Sequence, residues 1–113
     1  MTDLRKIDAL VAEHVMNLPV GFMSEQDELP YIIVDQATAS FDEIPNYSTD
    51  IADARRVVEK VRTEEVEVYI SGIHNKWYCD LMLCGKDLLS THSDPSLPLA
   101  ICVAALKLKG IRV

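Results

Sequence analysis

The C-terminal stretch PSLPLAICVAALKLKG constrains the fold of this chain more than any other part of the sequence. Pro98 fits the first turn of a helix, where its missing N–H costs nothing, and Gly110 is placed to cap the far end. Between them, residues 99–109 are apolar nearly all the way round the helix. Such a helix is usually buried between layers or against a second chain. The rest of the molecule must therefore supply enough surface to cover it on most sides.

Two further helices are predicted upstream, because apolar residues recur there at spacings of three and four. The first lies in DALVAEHVMNLP, and its apolar stripe includes His14, which we expect to be a packed core residue rather than a ligand. The second follows YSTD, where Ser48 or Thr49 can cap the helix and Asp50 falls in the first turn. Between these helices, the segment Gly21–Tyr47 is predicted to be mostly loop.

A β-hairpin is predicted between the second and third helices. EVEVYIS and WYCDLML both alternate apolar and polar residues, and GIHNK separates them as a turn. The alternation places four residues on one face: Trp77, Cys79, Leu81 and Leu83. We expect Trp77 to fill the interface between this sheet and a helix.

Two shorter segments are candidate strands, residues 31–34 (YIIV) and residues 88–91 (LLST). With them, the element order is approximately α-(β)-α-β-β-(β)-α. The sequence therefore predicts an α+β fold with a small antiparallel sheet. At 113 residues, of which 49% are hydrophobic, we expect one domain spanning residues 1–113.

Charge and cysteine content narrow the class of protein. Eighteen acidic and eleven basic residues give a net charge of −7, which disfavours nucleic acids and anionic membranes as partners. No apolar run reaches the roughly 18 residues of a membrane span, and the amphipathic start predicts no signal peptide. Three cysteines without an export signal predict reduced thiols in a cytoplasmic protein.

Four stretches carry a resemblance to a known family. They are DALVAEHVMNLP, YSTDIADARRVVEK, the segment ending in KWYCDLML, and PSLPLAICVAALKLKG, and together they cover most of the chain. In order and spacing they resemble the phage ABA sandwich domain family of small phage and prophage proteins. The resemblance implies a phage or prophage origin and a sheet flanked by helices, in an α/β/α sandwich-like arrangement, and it implies no catalytic residues. Arg55 departs from it, since a bulky apolar or aromatic residue is expected at that position.

The residues that could bind a metal or act as a nucleophile lack the patterns that such sites need. A zinc set could be drawn from His74, Cys79, Cys84 and His92. However, their spacings are long and no CxxC pair exists. A Cys–His nucleophile needs an activated thiolate, but no recognisable motif surrounds the cysteines, and Cys102 lies in the apolar last helix. We therefore expect no metal, no cofactor and no enzymatic activity.

One anion-binding site remains as a hypothesis. Tyr47, Ser48 and Thr49 lie at a helix start, where free N–H groups and the helix dipole attract phosphate, and two arginines follow within a turn or two. Helix capping explains the same residues without a ligand, and Asp50 would repel an anion. Trp77 could also stack on the base or ring of a ligand instead of filling the core. The predicted ligand-binding residues are Tyr47, Ser48, Thr49, Arg55, Arg56 and Trp77.

The function that these features favour is that of a non-catalytic phage accessory protein in the host cytoplasm, which binds a small anionic ligand or a host protein. In its specific form, it sequesters a host defence signal such as a nucleotide-derived messenger. The alternative is a structural or assembly role in the phage particle, in which the apolar last helix seals a subunit interface. That helix also predicts a homo-oligomer, unless the segment Gly21–Tyr47 covers it within the chain.

Overall fold

Three α-helices and two antiparallel sheets make up the part of the chain that the computed structural model describes, residues 4–22, 30–35, 40–63, 65–84 and 86–111. The helices are α1 (Leu4–Leu10), which continues into a π-helical turn (Val11–Val15), α2 (Ile51–Val61) and α3 (Leu97–Leu108). The first sheet contains β1 (Val20–Phe22), β2 (Pro30–Asp35) and β3 (Ser40–Glu43). The second contains β4 (Val66–Ile73), β5 (Lys76–Leu83) and β6 (Asp87–Asp94). The α+β fold class is confirmed.

Helix α3 is the centre of the core, and every residue from Ala100 to Leu106 is buried. It packs on β5 and β6 along one side, while α1, the π-helical turn and α2 contact it elsewhere. The sheet and the two earlier helices therefore cover the apolar circumference of α3 within one chain. The apolar circumference of α3 therefore gives no reason by itself to expect a second subunit, and the predicted homo-oligomer stays a prediction.

Both ends of α3 follow from its sequence. Pro98 occupies the first turn after the N-cap Ser96, where a missing N–H removes no helical hydrogen bond. At the other end Gly110 has φ 78°, a left-handed conformation that favours glycine. The N–H groups of Gly110 and Ile111 donate to the carbonyls of Lys107 (3.0 Å) and Leu106 (2.9 Å). This is a Schellman motif, and the predicted C-terminal cap is confirmed.

The second sheet is a meander in the order β4-β5-β6. Its predicted hairpin is present, with Ile73 paired with Lys76 across a two-residue turn. The face on α3, called the inner face below, includes the buried Cys79, Leu81 and Ser90. The Ser90 hydroxyl donates to the Ala104 carbonyl of α3 (2.8 Å) and so joins the sheet to the core helix. The candidate strand at residues 88–91 lies within β6.

The first sheet corrects the prediction that Gly21–Tyr47 is mostly loop. Residues 31–34 do lie in a strand, β2, but β1 and β3 pair on either side of it. These strands are three to six residues long, and the β2–β3 register shifts between Ile33 and Asp35. Short strands with an interrupted register give little alternation to read from the sequence. Residues 23–29 and 36–39 of this segment lie outside the described residues.

The end of the first helix corrects the prediction for His14. Here the backbone forms a π-helical turn, in which Met16 N–H donates to the Val11 carbonyl (2.9 Å). A π-turn has more residues per turn than an α-helix, so residues within it and beyond it rotate away from an α-helical stripe. Val15 stays buried, whereas His14 is exposed and lies beside Glu13, at 3.7 Å.

Candidate functional site

The segment that leads into α2 is tied to α1 by a buried carboxylate. Asp8 is fully buried, and its Oδ1 accepts a hydrogen bond from the Ser48 N–H (2.7 Å). Its Oδ2 accepts from the Arg5 guanidinium (2.9 Å), which also donates to the Ile44 carbonyl (2.8 Å) and to Asn46 Oδ1 (2.7 Å). Sequence reasoning missed both Asp8 and Arg5. The available signal was Asp8 itself, a carboxylate directly after the core residue Ile7 and three residues after Arg5, because a carboxylate that is buried is usually paired with a cation.

The start of α2 is capped by Asp50, which corrects the prediction that Ser48 or Thr49 caps it. Asp50 Oδ1 accepts from the N–H groups of Ala52 (2.8 Å) and Asp53 (3.4 Å). These are the amides that would attract an anion, and the protein's own carboxylate already occupies them. The start of α2 is therefore unfavourable for phosphate.

The predicted residues around this helix start separate into buried and accessible ones. Tyr47 and Ser48 are buried, whereas Thr49, Arg55 and Arg56 are exposed. Burial raises the pKa of the Tyr47 hydroxyl, and the positive charge of Arg56 opposes that rise. The Arg55 guanidinium points into solvent and pairs with Glu59 at 3.6 Å, which explains how this position accepts a charge.

The cysteines differ strongly in their surroundings. Cys79 and Cys102 are buried, and Cys84 is exposed in the turn after β5. Burial raises the pKa of Cys79 to about 12 and also raises the pKa of Cys102. Both buried groups are therefore neutral thiols at physiological pH and poor nucleophiles.

Trp77 lies on the predicted face of β5, but it does not fill the sheet–helix interface, and that prediction is wrong. It pairs with Gly72 of β4 and with Asp94, the last residue of β6, so it stands at the end of the sheet where α3 begins rather than under the length of α3. Its indole lies over Gly72, where an added Cβ would be 3.0 Å from Trp77 Cζ3. The absence of a side chain at Gly72 thus makes room for the ring, which remains 41% exposed.

Trp77 belongs to a group of large exposed side chains at the β4–β5 end of the sheet. We define this hairpin patch by four residues with their exposed fractions: Ile70 (41%) and Trp77 (41%) on the inner face, and Tyr69 (48%) and Ile73 (53%) on the outer face. A cleft of about 370 Å³ adjoins the patch, lined by Val58, Arg62, Glu67, Val68 and Tyr69. Sequence reasoning singled out only Trp77. The run VYISGI, apolar on both faces near a hairpin turn, was the signal for the other three.

Together these features define a class of protein: a small α+β domain whose core helix lies against an antiparallel sheet, with an exposed apolar patch at the sheet's end. No helix in the described part of the chain has both the length and the apolar character needed to cross a membrane. The model of the family described as the phage ABA sandwich domain matches residues 9–106, and the chain belongs to that family. The predicted resemblance is confirmed.

A solved structure of a phage protein has a similar fold. The chain is similar to a phage protein from Bacillus cereus ATCC 14579, known from a crystal structure at 2.0 Å, with a TM-score of 0.74 and 25% sequence identity. The similarity covers 100% of this chain and 93% of that chain. No curated protein matches this sequence.

Proposed function

We propose that this phage protein is an accessory protein without a reaction of its own, which acts by binding and sequestering another molecule at the hairpin patch. The observation that carries the proposal is the exposure of Trp77 on the inner face of the sheet, where a tryptophan would normally be buried. A bound molecule that covers this indole and its apolar neighbours would gain the free energy of removing them from water.

The ligand that we favour is a host defence signal derived from a nucleotide. Its base would stack on Trp77 on the inner face or on Tyr69 on the outer face, because a base and an aromatic side chain offer each other flat apolar surfaces. Its phosphates would need cations, and Arg62 lines the cleft beside Tyr69. Two further arginines, Arg55 and Arg56, are exposed on α2, and Arg62 is the residue that directly follows this helix. A host protein that covers the patch is the other kind of cargo.

The test is mass spectrometry of the intact protein purified from infected host cells, first under native and then under denaturing conditions. We expect a small-molecule mass under native conditions that is lost on denaturation and that fragments to a nucleobase. Trp77→Ala should abolish the retained mass, and Arg62→Glu should reduce it. Leu88→Ala, which changes an exposed apolar residue of β6 outside the patch, is the matched control and should retain the ligand. A native mass without any ligand in wild-type protein would contradict sequestration of a small molecule.

A structural role in the phage particle loses its original argument, because residues Ala100–Leu106 of α3 are already buried within the chain. Quantitative mass spectrometry of purified virions checks this alternative directly. An accessory protein should be absent from virions or far below the copy number of particle proteins. Stoichiometric abundance would favour assembly instead.

A further inference from the structure

The outer edge of β4 carries backbone groups whose direction follows from the register. The two-residue turn makes Ile73 and Lys76 a hydrogen-bonded pair, so odd-numbered residues of β4 bond to β5. In agreement, the carbonyl of Glu65 accepts from the Cys84 N–H, while Val66 points outward and bonds in both directions with Thr63. The N–H and C=O groups of Val68, Ile70 and Gly72 therefore point away from β5. Within the described chain, none of these groups has a partner.

This edge lacks the features that usually prevent strands from pairing with other chains. Natural edge strands are protected by bulges, prolines, lysines or short length. Strand β6, at the opposite edge, has a register shift opposite Leu81 and Met82. Strand β4 is regular over eight residues and contains no proline, no lysine and one charged residue, Glu67. The exposed Tyr69 and Ile70 flank the edge on its two faces.

We propose that β4 pairs antiparallel with β4 of a second copy, about a two-fold axis at Ile70, to form a continuous six-stranded sheet. The axis follows from the outward-pointing groups. With Ile70 opposite its own copy, Val68 lies opposite the partner's Gly72 and Gly72 opposite the partner's Val68, and each of these pairs exchanges two hydrogen bonds. An axis at Tyr69 or Ser71 leaves one outward residue of each strand without such a pair.

The side chains are compatible with this register. On the inner face, Ile70 meets the partner's Ile70, and the Trp77 indole that covers Gly72 contacts the partner's Val68. On the outer face, Glu67 lies opposite the partner's Ile73, so the only charge of the strand does not face its own copy. The partner's Gly72, which has no side chain, lies opposite Val68 and so lets the partner strand approach closely beside the cleft that Val68 lines. An isologous contact of this kind closes at two subunits.

The pairing is made by backbone groups of the strand edge and needs no ligand, but the dimer covers Ile70 and part of Trp77, two residues of the hairpin patch on which the proposed function rests. Sedimentation velocity of the purified full chain without ligand should show a dimer of the 12.7 kDa subunit at micromolar concentration. Trp77 is the single tryptophan, so dilution through the dimer dissociation constant should shift its emission to the red. A retained nucleotide mass reports the proposed function separately.

Ile70→Pro is the decisive variant. Its N–H points away from β5, so proline removes a bond between copies and none within the sheet, and the variant should fold and sediment as a monomer. Ile70→Lys, which places two ammonium groups together at the axis, is the second variant and should raise the dimer dissociation constant at least about tenfold. Leu88→Lys, on the bulged edge strand, is the control and should leave the dimer intact.

Three outcomes would overturn the proposal. The first is a wild-type chain that sediments only at the monomer mass up to about 100 micromolar, a concentration above the dissociation constant expected of a specific dimer. The second is a dimer that Ile70→Lys and Ile70→Pro both leave unchanged. The third is an edge occupied by a strand of a different protein, seen as a heteromeric mass that Ile70→Pro abolishes.

Discussion

Replacing Asp8 with alanine tests whether the buried carboxylate holds α1 to the start of α2. The substitution leaves the buried Ser48 N–H without an acceptor, which costs about 1–3 kcal/mol. It also removes the ion pair with Arg5, whose side chain is 40% exposed, so we add only about 1 kcal/mol for it. The free energy of unfolding should therefore fall by about 2–4 kcal/mol. With a urea m-value of about 1.5 kcal/mol/M, the unfolding midpoint should drop by roughly 1.3–2.7 M.

Urea titration followed by circular dichroism measures this loss, and two variants show where it comes from. Asp8→Asn keeps an oxygen for Ser48 but loses the charge, so it should cost less than Asp8→Ala. Glu59→Ala breaks the exposed ion pair with Arg55 and should change stability by less than about 0.5 kcal/mol. If Asp8→Ala lowers stability no more than Glu59→Ala does, the network does not hold these elements together.

Four further perturbations have outcomes that the structure predicts. Asp50→Ala removes the α2 cap and should cost about 1 kcal/mol in urea unfolding; no change would mean that the cap bonds are made only weakly. Ala104→Leu overpacks a fully buried position of α3 and should cost about 1–3 kcal/mol or prevent folding, and a variant of wild-type stability would contradict the tight core. Iodoacetamide should modify Cys84 alone in the native protein and all three thiols in urea, as counted by intact mass. Burial, aided by the charge of Lys107, lowers the pKa of His92 in the folded protein below its ordinary value of 6.5. Below about that pH the unfolded chain binds more protons than the folded one, so the free energy of unfolding should fall as the pH drops from 7.5 to 5.5, and His92→Gln should make this fall smaller.

The sequence was most informative where a local pattern determines the structure. Pro98 and Gly110 delimit α3 by backbone chemistry alone, and strict alternation predicts the face of each residue in β5. Alternation does not say how far along that face a helix reaches. For this reason the shared face of Cys79 and Trp77 was correctly predicted, but only Cys79 is buried there and Trp77 was not correctly placed.

The accessibility of the residues in the predicted anion site could not be read from the sequence, for a different reason. Asp8 and Ser48 are 40 residues apart in sequence, so their hydrogen bond is invisible to any local pattern. The sequence predicted a cap at Ser48 or Thr49, whereas the backbone conformation, with Asp50 at φ −113° and ψ 121°, places the cap at Asp50. Local chemistry indicated a capped helix start, but tertiary contacts decided which side chains remained accessible.

The central position of α3 has a consequence for synthesis on the ribosome. In chain order, α3 comes after every described element that packs around it. Synthesis proceeds at about 5–20 residues per second, so adding residues 97–108 after the last strand takes on the order of one second. During that time the two earlier helices and the second sheet have been synthesised but α3 has not. Until then the apolar surfaces that pack on α3 lack the helix that buries them. A nascent chain that stops before Leu97 is therefore a substrate for chaperones and proteases rather than a smaller folded domain.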